Sequence, residues 1–174
     1  MPAKVSVGFR VCATAILSLA VAFNACAASR QADNERAKVR EFVAQFITSF
    51  ENLDIDAFMA CFASEATVFF PSPEPGQRYA GKAAIREHFQ QVFSSIRSSS
   101  RASVPPYHRL NVEDLDVQLL DAHAAVVTFH LRNAERLARR SLVLAQTQGR
   151  WQIVHLHASN MPITPAVASP ASAH

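Results

Sequence analysis

Hydrophobic residues recur at helical spacing in the first third of the chain and at alternate positions in the last third. Val39, Phe42, Val43, Phe46, Ile47 and Phe50 form one wide apolar stripe, the pattern of a helix buried along one face. Asp33 or Asn34 stands where an N-cap belongs, with Glu35 in the first turn. Asn52-Leu53-Asp54 interrupts the stripe. Asp54 is placed to cap a short second helix running through Phe62, with Ile55, Phe58, Met59 and Phe62 inward. Ala66 to Phe70 is an apolar run with β-branched and aromatic residues, which predicts a strand. Pro71, Pro73, Pro75 and Gly76 end it in a loop. A third helix starts at Gly81-Lys-Ala-Ala-Ile85 and carries Ile85, Phe89, Val92 or Phe93, and Ile96 on its stripe.

After a polar link from Ser98 to Pro106 the period changes from helix to strand. Leu110 and Val112 alternate in one phase, and Leu115, Val117 and Leu119 in the opposite one. A slip of this kind inside one strand predicts a bulge near Glu113-Asp114. Strands Ala122 to Arg132, Arg139 to Thr147 and Arg150 to Ser159 complete the set. In the last of them, alternation puts Trp151, Ile153, His155, His157 and Ser159 on one face and Gln152, Val154, Leu156 and Ala158 on the other. Helices first and antiparallel strands later give an α+β class, with helices packed on one face of a bent sheet. Two histidines on a strand buried on both faces suggest a sheet wrapped around a polar interior.

Composition fits one domain with a proper core: 174 residues, 49% hydrophobic and 18% charged. The beginning of the chain is a different kind of segment. Lys4 and Arg10 precede an almost wholly apolar stretch from Val11 to Ala25, and Ala25-Cys26-Ala27 is a small-x-small cleavage pattern. Residues 1–27 are therefore expected to be a cleaved signal peptide, with an uncut membrane anchor as the alternative. Phe23-Asn24-Ala25-Cys26 partly fits a lipoprotein signal, so lipidation at Cys26 stays open as a third outcome. Residues 28–34 then form a linker, 35–162 the domain, and 163–174 a Pro-rich disordered tail. The expected location is periplasmic or secreted, with the outer membrane, and any membrane contact, reserved for the lipidated form.

Export also changes the charge and cysteine arithmetic. Losing Lys4 and Arg10 lowers the formal net charge from +3 to +1, which offers no general attraction to nucleic acid. Cys12 and Cys26 leave with the signal. Cys61 then stands alone, without a disulfide partner, in an apolar helical pattern that predicts a buried thiol.

Three segments carry a family resemblance. Leu53–Val68 (LDIDAFMACFASEATV) resembles the second helix and first strand of the nuclear transport factor 2-like superfamily, and Gly81–Phe89 (GKAAIREHF) resembles its third-helix start. Gly149–Ser159 (GRWQIVHLHAS) resembles the closing strand of the SnoaL-like group and of the association domain of calcium/calmodulin-dependent protein kinase II. The resemblance covers about residues 35 to 162. It implies a cone-shaped domain: three N-terminal helices packed on a strongly curved antiparallel sheet, with a pocket between them. It also implies a homodimer or higher homo-oligomer formed through the outer sheet face.

Departures from the family bear on its chemistry. Ketosteroid isomerases of this superfamily place a carboxylate base at the end of the first strand, where this chain has Phe69-Phe70-Pro71. Their phenol on the first helix corresponds to Phe46, and their later carboxylic acid to Leu142. Without a base and oxyanion donors, enolisation loses its main stabilisation, so this chemistry is not expected. The kinase association domain's pocket arginines are not matched either, because those positions are His130 and Leu142.

The remaining polar candidates are His130, His155 and His157 as contacts to a small ligand, with Arg132 and Arg140 near the pocket mouth. The three histidines could instead bind a metal, or simply be satisfied by local hydrogen bonds; no metal and no cofactor is expected. Arg132, Arg136, Arg139 and Arg140 could equally be a solvated turn. His108 or His155 could do acid–base work with Asp116 or Asp121, but no spacing selects a pair. The twelve phenylalanines could line an apolar pocket or be packing. Three functions stay open: an exported domain binding a small, partly apolar organic molecule; a proton-transfer enzyme of isomerase, dehydratase or cyclase type; and an oligomerisation module with a vestigial pocket.

Overall fold

The computed structural model describes residues 12–71 and 78–163, with side chains from residue 29 onward. The stripe read from Val39 to Phe50 belongs to a long helix α1, Cys12–Glu51. Asp33 and Asn34 do not cap it. The helix runs through residues 28–34, expected as a linker, because nothing there breaks it. Asp33 instead pairs with Arg36 (3.1 Å) and Glu35 with Lys38 (2.8 Å), both one turn apart along the helix. Val39, Val43 and Phe46 are buried on its inward face.

Asp54 does cap helix α2, Ile55–Ala60, with its side chain accepting the Ala57 N–H at 3.0 Å. The helix ends earlier than expected, and Phe62 already belongs to strand β1, Phe62–Phe69. A short strand β2, Arg78–Ala80, pairs with β1, and helix α3, Lys82–Ser99, follows Gly81 at φ +81°. Then come β3 (Val112–Leu119), β4 (Ala124–Arg132), β5 (Arg136–Thr147) and β6 (Arg150–Pro162). Ile163, assigned to the tail, donates its N–H to the Glu135 carbonyl at 2.9 Å; the rest of the expected tail and residues 1–11 of the expected signal lie outside the described residues.

The strands form one sheet in the order β2-β1-β6-β5-β4-β3. The sheet is antiparallel, as expected, except at one place, where β1 pairs with β6 in parallel. Two register breaks shape the sheet. One falls between Glu113 and Asp116, where Asp114 adopts φ +53°, at the slip read from the sequence. The other is in β6: Leu144 pairs with Ile153 and Val143 with His155, which leaves Val154 without a partner in either ladder.

The Val154 bulge overturns the alternation expected for β6. Trp151 and Ile153 are buried before it, Leu156 and Ala158 after it. One extra residue has exchanged the faces, so His155 and His157 lie on the outer face, away from the helices. The core under the helices is dominated by phenylalanine. Phe58 stacks on Phe46 (centroids 4.9 Å apart) and meets Phe62, Phe89 and Phe93 at 4.4 to 5.4 Å, spacings typical of favourable ring pairs.

Phe62 is fully buried, so Phe62→Ala is expected to lower the unfolding free energy by about 3–5 kcal/mol. Asp54→Ala removes one helix cap and is expected to cost about 1 kcal/mol. Urea titrations of both variants, followed by circular dichroism, check the order and the size of the two effects.

Candidate functional site

Between the helices and the inner sheet face lies a cavity of about 450 Å³, within the ordinary size range of small-molecule sites. Its helical wall is aromatic: Phe46, Ile47 and Phe50 from α1, Phe58 from α2, and His88, Phe89 and Val92 from α3. Phe70 and Pro71 follow the end of β1. The sheet contributes Phe129 and Leu131 from β4, Arg140 from β5, and Leu156 and Ala158 from β6. These are the inward positions fixed by the β4–β5 register and by the β6 bulge.

The link between α3 and β3 supplies His108 and Leu110. Glu51, at the end of α1, holds this link down. Its carbonyl accepts the N–H groups of Tyr107 (2.9 Å) and His108 (3.1 Å), and its carboxylate accepts that of Leu110 (2.7 Å). Arg97 lies 4.4 Å from the Tyr107 ring centroid, a cation–π contact that fastens the same segment to α3.

Of the five residues singled out from sequence, only Arg140 lines the cavity. His130 and Arg132 alternate with Phe129 and Leu131, so they face outward. There His130 Nδ1 lies 3.1 Å from Asp114 Oδ2, and Arg132 Nε donates to Glu113 Oε2 at 2.7 Å. His155 shares a 2.7 Å hydrogen bond with Thr67 Oγ1 across the parallel β1–β6 pair, and its ring and that of His157 pack against Phe69. Burial, then the neighbouring His157 and Arg78, push the His155 pKa down. The expected grouping of these residues around a pocket is therefore corrected. Four of them belong to the outer face, in two clusters, and the fifth is alone inside. Among the described residues no group of three His, Cys, Asp or Glu side chains is arranged to hold a metal ion.

Two further histidines line the cavity, His108 and His88. His88 lies three residues after Ile85 and one before Phe89, on the apolar stripe of α3, and that position is the signal the sequence offers for it. Its ring stacks on Phe70 (4.0 Å) and lies 4.6 Å from Tyr79. Burial lowers its pKa, which favours the neutral imidazole. Among the described residues no carboxylate lines the cavity. Cys61 is buried, and desolvation raises its pKa to about 11, which keeps the thiol protonated and unreactive.

Comparison with known proteins places these features in a family. The SnoaL-like domain family matches residues 39–164. A cystatin-like fold protein from Burkholderia xenovorans is similar in structure, with a TM-score of 0.58, 19% identity, and coverage of 74% of this chain and 92% of that one. An NTF2-like protein of unknown function from Pseudomonas putida gives 0.58 and 16%, covering 73% and 87%. A ketosteroid isomerase-like protein from Erwinia carotovora atroseptica gives 0.58 and 18%, covering 74% and 96%. At these identities the likeness concerns the fold. No curated protein sequence matches.

A histidine whose folded-state pKa is depressed stabilises the fold above its unfolded value and loses that contribution as pH falls. Stability should therefore drop below pH 6.5, as the unfolded state takes up protons that His88 and His155 resist in the folded protein. His88→Phe and His155→Leu are each expected to flatten this fall in urea midpoints measured between pH 7.5 and pH 5.

Proposed function

The chain belongs to the SnoaL-like domain family, and on that premise we propose that it is an exported protein that takes up a small, partly apolar organic molecule in its internal cavity. The observation that carries this proposal is the cavity itself: about 450 Å³, walled by aromatic and aliphatic side chains, with His88, His108 and Arg140 as its polar groups. Interiors normally close-pack, so an opening of this size in a core rich in phenylalanine is a site rather than a packing flaw.

Export rests on the Lys4/Arg10 start, the apolar stretch to Ala25 and the Ala25-Cys26-Ala27 pattern. From residue 29 onward, where the side chains of α1 are described, Val39 is the first one buried in the core. Among the described residues no helix is long and apolar enough to cross a membrane. Lipidation at Cys26 is the alternative, and it would tether the same domain to the outer membrane. A second copy would pair through the outer sheet face, where Phe69, Val126, Val143 and Val154 are only half-buried.

A second function is favoured by one observation, the His88 imidazole among the cavity walls. A base there could remove a proton next to a carbonyl. Deuterium uptake at the α-carbon of a small aryl ketone, abolished by His88→Gln, is what this enzyme would give; uptake no faster than in buffer removes it.

Binding is tested with phenylnaphthylamine, a neutral fluorophore that brightens in apolar surroundings. The purified protein should bind it saturably at one site per chain. Ala158→Phe and Val92→Trp, which build into the cavity from opposite walls, should each weaken it roughly tenfold, whereas His157→Leu on the outer face should leave it unchanged. Equal affinity in all four proteins would place the dye outside the cavity and defeat the proposal.

A further inference from the structure

We infer that the molecule taken up by the cavity is a carboxylate, and that the Arg140 guanidinium is its anchor. This rests on the binding function proposed above and adds the chemical class of the ligand.

The inference starts from how the basic side chains are satisfied. Arg36, Lys38, Arg86 and Arg132 each meet a carboxylate within 3.1 Å. Arg140 meets none among the described residues, although it is half-buried and lines the cavity. Its hydrogen bonds run through a single nitrogen. Nη1 donates to the backbone carbonyls of Arg139 (2.8 Å) and Ser159 (3.3 Å), and reaches Asn160 Oδ1 at 3.5 Å. These contacts hold the plane of the group. The edge formed by Nε and Nη2 carries no acceptor among the described residues.

A guanidinium stays charged at any relevant pH, and withdrawing it from water without a counter-charge is costly. Burial alone moves its pKa, downward, and no acidic neighbour opposes the shift. The open edge presents two parallel N–H groups, the arrangement that a planar carboxylate accepts in a bidentate pair. The rest of the lining agrees. Among the described residues no carboxylate lines the cavity to repel an anion, and its other polar side chains are the imidazoles of His88 and His108. Phenylalanine, leucine and alanine walls receive the remainder of the molecule. The ligand class is thus a small monocarboxylate with an aromatic or branched apolar body.

Displacement of phenylnaphthylamine by a matched pair, phenylbutyrate and phenylbutanol, reads the carboxylate separately from the body. The wild-type protein should release the dye at roughly 10- to 100-fold lower concentration of the acid than of the alcohol. Arg140→Gln should erase that preference, read as the ratio of the acid and alcohol concentrations that release the dye from the same protein, and Arg140→Lys should keep part of it. Circular dichroism of both variants confirms that they fold. Equal potency of acid and alcohol on the wild type, or an unchanged preference in Arg140→Gln, overturns the anchor while leaving the binding function standing. If the dye itself does not bind, calorimetry of phenylbutyrate with wild type and Arg140→Gln decides the matter: heat lost with the arginine supports the anchor, and no heat in the wild type overturns it.

Discussion

Strand β6 is held by β5 along one edge and by β1 along the other, and Val154 is left out of both ladders. Everything inside the fold is arranged around that omission. Before it, Trp151 and Ile153 close the packed part of the core; after it, Leu156 and Ala158 form the floor of the cavity. Without the extra residue the period-two alternation would send Leu156 and Ala158 outward and bring two imidazoles against the phenylalanines. The bulge therefore keeps one strand apolar on its inner face over its buried length. It also frees His155 to bond Thr67 across the parallel pair. β1 loses its register with β6 over the same stretch, between Phe62 and Thr67, so the irregularity belongs to the pair of strands and not to one of them.

The cavity stays open because its walls cannot move together cheaply. On the helical side, Phe46, Phe50, Phe58, Phe89 and Phe93 are fixed by a net of edge and stacked contacts. On the sheet side, the strands are tied by their ladders and Arg140 is tied to backbone oxygens. The link carrying His108 and Leu110 is fastened three times to Glu51. Collapse would have to break rings out of low-energy contacts or bury the guanidinium completely, and both carry a cost. A chain of six residues for α2 is too short to fill the space by itself.

The sequence was most legible where a polar interruption marks a structural event. The stripe of α1 and the Asp54 cap announce their elements. So does the slip at Glu113-Asp114, because charged residues there leave one consistent assignment of the flanking valines and leucines. Val154 gives no such mark. It is itself apolar, and both faces of β6 carry bulky residues, so alternation continued through it looked equally good and put His155 and His157 inside. The parallel β1–β6 pairing was hidden for a different reason, since strand neighbours far apart in sequence leave no local trace. Asp33 mimicked a helix cap because its short carboxylate serves equally well in an ion pair with Arg36. His88 was concealed by the apolar company of its own helix face.

The family fold leaves the chemistry to the cavity, and the polar inventory there weighs toward binding. Phe46 and Phe70 line the cavity, and Leu142 is fully buried beneath it. The positions that the sequence resemblance sets against the phenol, base and acid of ketosteroid isomerases are hydrocarbon in this chain. What remains is one fixed cation and two imidazoles. A fixed cation facing a carboxylate stabilises the bound ground state as much as any later state, and uniform stabilisation of that kind deepens affinity without raising a rate. Catalysis would need a group that meets charge appearing only in the transition state; an Arg140 paired with a carboxylate ligand would already be engaged with the ligand's own charge. The His88 imidazole lies against Phe70 and Tyr79. Among the described residues no carboxylate lines the cavity to orient it or to stabilise its protonated form, and burial lowers its basicity, which suits a neutral hydrogen-bonding partner.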